Sequence, residues 1–157
     1  MGTAEQKSKT EYKHRGARAL VLLHEEHIRS FLKVWRDAKR RGVKLPETDD
    51  PDYISMETLL MHVLRSSGGY MKWICDKLSL PDPKINQVPS EEVIEKEAEG
   101  YIEHLLERWS LPLALIEDNK VFETVHRSNW GVEYSIEAML EHAVMHPIRH
   151  GFQLKNI

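Results

Sequence analysis

The chain has 157 residues, with 22 Lys and Arg against 25 Asp and Glu, a net charge of -3. That length predicts one domain spanning residues 1–157, large enough for a single buried core, with residues 1–11 as a flexible N-terminal tail. An apolar share of 41% and a charged share of 30% describe a globular chain rather than a disordered one. The near-balanced charge argues against nucleic acid as a partner. The longest apolar runs, such as residues 19–23, fall far short of a membrane span, and no signal peptide is visible. One cysteine, Cys75, excludes an internal disulfide and fits a reducing, cytoplasmic location.

Four segments carry helical period. From Tyr12 to Arg41, residues Leu20, Leu23, His24, His27, Phe31, Val34 and Ala38 recur at three- and four-residue steps. Lys39, Arg40, Arg41 and Gly42 then supply the cations and glycine that favour a helix end. After a loop rich in Pro and Asp, Ser55 is placed to cap a second helix with Glu57 in its first turn. The run Ser66-Ser67-Gly68-Gly69 falls in the middle of that helix, so either the helix kinks there or something packs close to its backbone. Ser90 is the expected cap of a third helix, with Ile94, Ala98, Tyr101, Leu105 and Trp109 as its stripe. Residues 121–125 alternate enough to permit a short strand, and Asn129-Trp130-Gly131 reads as a loop. Ser135 caps a fourth helix. Four helices with little strand signal predict an all-α domain, most simply a four-helix bundle.

Nine histidines are many for this length. On the fourth helix, His150 lies about 40° from His146 in projection and His142 about 40° the other way. The apolar face, with Met139, Ala143 and Leu154, centres beyond His150. His146 and His150, one turn apart, point the same way and can share a metal ion, with His142/His146 as the fallback pair. A third ligand has to come from elsewhere, and His62 on the flank of the second helix suits a bundle mouth. Small Ser66 and Gly69 beyond it leave room for a substrate. Zinc, nickel and ferrous iron all accept three imidazoles. His24 and His27, on the stripe of the first helix, read as ordinary packing or an interhelical hydrogen bond, with a place beside the site or facing the substrate as the alternative. Cys75 on an apolar face reads as a core residue. Glu11-x-x-His14 and Glu123-x-x-His126 lack the partner carboxylates of a di-iron bundle.

Residues 59–64, Leu-Leu-Met-His-Val-Leu, resemble the second-helix histidine motif of the DinB superfamily (the DinB/YfiT-like metalloproteins). Asn129-Trp130-Gly131, the capped helix start and residues 146–153 (HPIRHGFQ) are similar to its C-terminal signature. That signature reads roughly tryptophan-glycine, helix, HxxxHRGQ. The order of the motifs follows the family along nearly the whole chain. The resemblance implies a four-helix bundle with a divalent metal on His62, His146 and His150, with zinc or nickel foremost and iron or manganese as alternatives. It also implies a homodimer and a small-molecule substrate. A low-molecular-weight thiol is the implied co-substrate, as in thiol S-transferases, a thiol-dependent isomerase or a related hydrolase. Gln153 is kept, with His142, Ser66, His24 and His27 as supporting candidates. Pro147 stands where the family commonly has Glu and permits a kink at His146, while Gly151 and Phe152 replace Arg-Gly. These departures, together with the lack of a dedicated general base, leave a second expectation: a non-catalytic bundle that binds a metal or small molecule.

Overall fold

The computed structural model describes residues 10–157 and is mostly helical. The helices are α1 (Arg15–Arg40), α2 (Met56–Lys77), α3 (Ile94–Ser110) and α4 (Ile136–Lys155). The two strands are β1 (Val125–Arg127) and β2 (Glu133–Ser135). Most of the expected tail lies outside the described residues. Just after it, Tyr12 is half-buried and donates to the Ser110 carbonyl, and Lys13 pairs with Glu117. No helix among the described residues is long and apolar enough to cross a membrane.

Helix contacts run around a ring, α1 to α4, α4 to α2, α2 to α3 and α3 back to α1, with the most extensive between α1 and α4. Trp35, Trp109, Phe31, Leu60, Leu64 and Met71 are fully buried and fill the centre. Trp35 also donates its indole N–H to the Met56 carbonyl at 2.6 Å, fixing the start of α2 against α1. Lys39 bridges Glu57 and Glu95, tying α1, α2 and α3 together at the surface.

The caps follow from the sequence at two of the three later helices. Ser55 accepts from the Thr58 backbone N–H, and the Thr58 side chain returns the bond to the Ser55 N–H. Ser135 accepts from the Ala138 N–H at 3.0 Å. The third helix differs: its regular hydrogen bonding starts at Ile94, and Ser90 opens a preceding turn by accepting from the N–H groups of Val93 and Ile94 through its carbonyl. The permitted strand at 121–125 is displaced. Residues Asn119–Glu123 form a 3-10 turn, and β1 follows, pairing antiparallel with β2 with His126 opposite Tyr134. Gly131, at φ 86°, makes the tight return between them.

The paired glycines do not break α2, which runs unbroken through both. A Cβ added at Gly68 would sit 3.1 Å from Ile85 Cγ2 and 3.6 Å from Leu105 Cδ2. The 78–93 connection therefore packs close against this backbone, and a side chain here would have to push Ile85 aside by a few tenths of an ångström. A Cβ at Gly69 meets nothing within 4 Å. Gly69→Ala should raise stability by roughly 0.5–1 kcal/mol through helix propensity. Gly68→Val should lower it by about 1–3 kcal/mol through overpacking. Urea denaturation of both variants checks the opposite signs.

Candidate metal centre

His62 projects from the second turn of α2, and His146 and His150 from successive turns of α4. One ring nitrogen from each lies within 4.8 Å of the others, so these three residues form a group suited to a metal ion. His62 Nε2 is 3.1 Å from His146 Nε2. Tetrahedral zinc with Zn–N bonds of about 2.0–2.1 Å places two ligand nitrogens about 3.3 Å apart. The helix α4 is continuous through Pro147, so His146 and His150 are presented from one unbroken helix. Pro147 itself is buried and brings no N–H to that turn.

The outer ring nitrogens orient two of the imidazoles. His62 Nδ1–H donates to Asp52 Oδ2 at 3.1 Å, which turns the Nε2 lone pair toward His146. Asp52 is held in turn by Arg65 at 3.3 Å. His150 Nδ1–H donates to Gln153 Oε1 at 2.9 Å, so its Nε2 carries the lone pair. That Nε2 is buried and has no hydrogen-bond partner, and the same holds for His146 Nδ1. Buried nitrogens without partners are uncommon in folded proteins, and a cation held by the group would take up the His150 lone pair. A carboxylate or amide behind a ligating imidazole is the usual outer partner of a metal site.

All three histidines are biased toward the neutral form that a metal ion requires. Burial lowers the pKa of His62, with Asp52 opposing. Burial lowers His146 to about 2, with the neighbouring His150, His62 and Arg149 adding to it. Burial lowers His150 to about 4, with His62 and Arg149 adding and the Gln153 bond opposing. Tyr53 overhangs the group, its hydroxyl 3.4 Å from His62 Nε2 and its ring 5.8 Å from that of His150. Burial, followed by Asp50 and Asp52, raises the Tyr53 pKa.

The supporting candidates divide. Gln153 is a direct partner of His150. Ser66 touches the Tyr70 hydroxyl, and the Tyr70 ring lies edge-on to His146 at 5.7 Å, so Ser66 acts one residue removed. His142 is half-buried among Tyr70, Trp130 and Tyr134, with ring centroids 5.2–5.5 Å away. Its ring reaches that of His146 at 6.5 Å. His24 makes the interhelical contact expected of a core histidine: it is fully buried, 2.8 Å from the Ser67 hydroxyl and stacked on Trp109 at 3.7 Å, a contact among α1, α2 and α3 rather than part of the three-histidine group. His27 is half-buried beside it and makes no hydrogen bond or ring contact with the group among the described residues.

The remaining histidines have local structural roles. His14 caps α1, His104 accepts from the Asn86 N–H, and His126 Nε2 lies 2.9 Å from the Thr124 hydroxyl, which itself donates to the Val121 carbonyl. Cys75 is buried, and burial pushes its thiol up to about 11. Sequence reasoning missed Asp52 and Tyr53, which lie on the 3-10 turn Pro51–Tyr53 that had read as plain loop. The cluster Asp49-Asp50-Pro51-Asp52 just before the second-helix motif was the available signal.

Helices and site together define a helical protein with a three-histidine group suited to a divalent ion. Comparison of the chain with protein-family models, curated proteins and solved structures finds no match.

Proposed function

We propose that the chain is a DinB-like metal-dependent protein in which His62, His146 and His150 hold a divalent cation, with zinc or nickel preferred to iron or manganese. The observation that carries this is the convergence of three largely neutral imidazoles from two helices, two of them oriented by Asp52 and Gln153. A divalent ion bound there supplies a Lewis acid that lowers the pKa of a thiol or water. The reaction that fits is transfer of a low-molecular-weight thiol to a small electrophile, or a related isomerisation or hydrolysis. In this reading Asp52 and Gln153 keep the imidazoles aimed. Burial of the group excludes bulk water on the core side. Tyr53, protonated at neutral pH, offers a hydroxyl proton at the mouth. Homodimerisation belongs to the same proposal.

A second reading is a non-catalytic metal-binding bundle. It is favoured by the poor supply of proton-transfer groups: the one carboxylate bonded to the group, Asp52, is already occupied by His62 and Arg65. Thiol-transfer assays with several small thiols and electrophiles, each with zinc, nickel or manganese, separate the two. The enzyme reading expects metal-dependent turnover that is lost in His150→Ala. Inactivity throughout, with stoichiometric metal binding intact, selects the binding protein.

A further inference from the structure

Two clefts open beside the three histidines. One, of about 700 Å³, reaches His150, Gln153 and Tyr53 and is walled by Leu45, Leu59 and Leu154. The other, of about 390 Å³, reaches His142 and His146 along Met145 and Ile148. Arg149 and Phe152 line both. The linings are apolar except at a few points, and neither contains an aspartate or glutamate. Arg149 is the one Lys or Arg among the described residues lining either cleft, and among those residues it forms no ion pair. Its charge reaches His142, His146 and His150, adding to the lowering of their pKa values, and Tyr53, where it opposes the rise. Phe152 stands next to it, 65% exposed, a large ring with no place in the core.

We infer that Arg149 is the specificity-determining residue of these clefts: they take a small molecule with an apolar body and a single carboxylate, the body lying on Phe152 and the carboxylate on the Arg149 guanidinium. An unpaired guanidinium at the edge of an apolar cleft is suited to a carboxylate, because its planar donors match the two oxygens and the low-polarity surroundings strengthen the pair. A neutral ligand of the same shape leaves that cation without a partner. A dicarboxylate would bring a second charge for which the described lining holds no second cation. The identification of this ligand as a substrate rests on the proposed function, whereas its binding stands on the clefts alone.

The test uses phenylacetate and its neutral analogue phenylacetamide, titrated into full-length protein by NMR, both metal-free and zinc-loaded. Metal-free wild type is expected to bind phenylacetate roughly tenfold or more tightly than phenylacetamide. Arg149→Gln, a change at an exposed position whose folding is checked by circular dichroism, should bring the ratio close to one while both ligands still bind. Phe152→Ala should weaken both ligands alike. A wild-type ratio near one, no binding of phenylacetate, or an unchanged ratio in Arg149→Gln overturns the inference. His62→Ala separates it from the metal reading: loss of zinc with the ratio retained supports Arg149 recognition, whatever the fate of the catalytic proposal.

Discussion

Replacing His150 with alanine is expected to abolish stoichiometric zinc binding, lowering affinity by roughly a thousandfold or more, because two imidazoles cannot hold the ion that three can. His62→Ala and His146→Ala should do the same. Asp52→Asn leaves every ligand in place but weakens the acceptor behind His62 Nδ1, so a loss of roughly 10- to 100-fold is expected. The series is read by elemental analysis of protein purified without a chelating tag, then by competition with a chromophoric chelator. Stability offers an independent readout, since an ion that binds only the folded state at a thousand times its Kd stabilises by about 4 kcal/mol. Zinc should raise the melting temperature of the wild type and leave that of His150→Ala unmoved. Full zinc occupancy in His150→Ala would remove the proposed ligand set.

The second large effect concerns acid, and the part due to His24 arises away from the three-histidine group, whose own lowered pKa values add to the acid sensitivity. His24 is fully buried and stacked on Trp109, and burial lowers its pKa to about 3, with His27 adding to the shift. In the unfolded chain it titrates near 6.5. The folded state therefore binds fewer protons than the unfolded state between these values. Stability from this group is fully present above about pH 6.5 and is lost as pH falls toward about 3, by several kcal/mol in all. The double variant His24→Phe/Ser67→Ala keeps a ring on Trp109 and removes both ends of the 2.8 Å contact. Its urea midpoint should fall less steeply than that of the wild type between pH 6.5 and pH 4, measured in chelator so that bound metal does not contribute. An unchanged slope would show that His24 does not set the acid limit.

The helices were readable because each announces itself by a stripe and by punctuation. Ser55 and Ser135 cap where a short hydroxyl followed by an apolar run predicts. Ser90 misled because a capping residue type is equally at home in a turn one step before the helix. The grouping of His62, His146 and His150 was readable because helical geometry fixes which way residues one turn apart point, and the motif order paired α2 with α4. His24 shares the same periodic stripe as the core, and periodicity alone does not separate a buried imidazole serving a neighbour from one serving a site. What it serves became clear only when Ser67 and Trp109 were brought to it from other helices. Asp52 lies beyond any periodic argument. It is ten residues from His62 on an irregular turn, so no repeat links them.

That turn has its own logic. Asp50 accepts from the Asp52 N–H and Pro51 starts the 3-10 turn, so the pair that faces His62, Asp52 and Tyr53, is delivered by a self-braced connector outside the helical framework. In the proposed reading, the three ligands and the Gln153 brace belong to the helices, while the brace behind His62 is lodged in a separate part of the chain. A peptide-bond cut between Pro46 and Asp50 should leave three imidazoles still able to converge, but loosen the brace that sharpens their grip. Exchange of this short connector alone offers a way to retune retention without redesigning the scaffold.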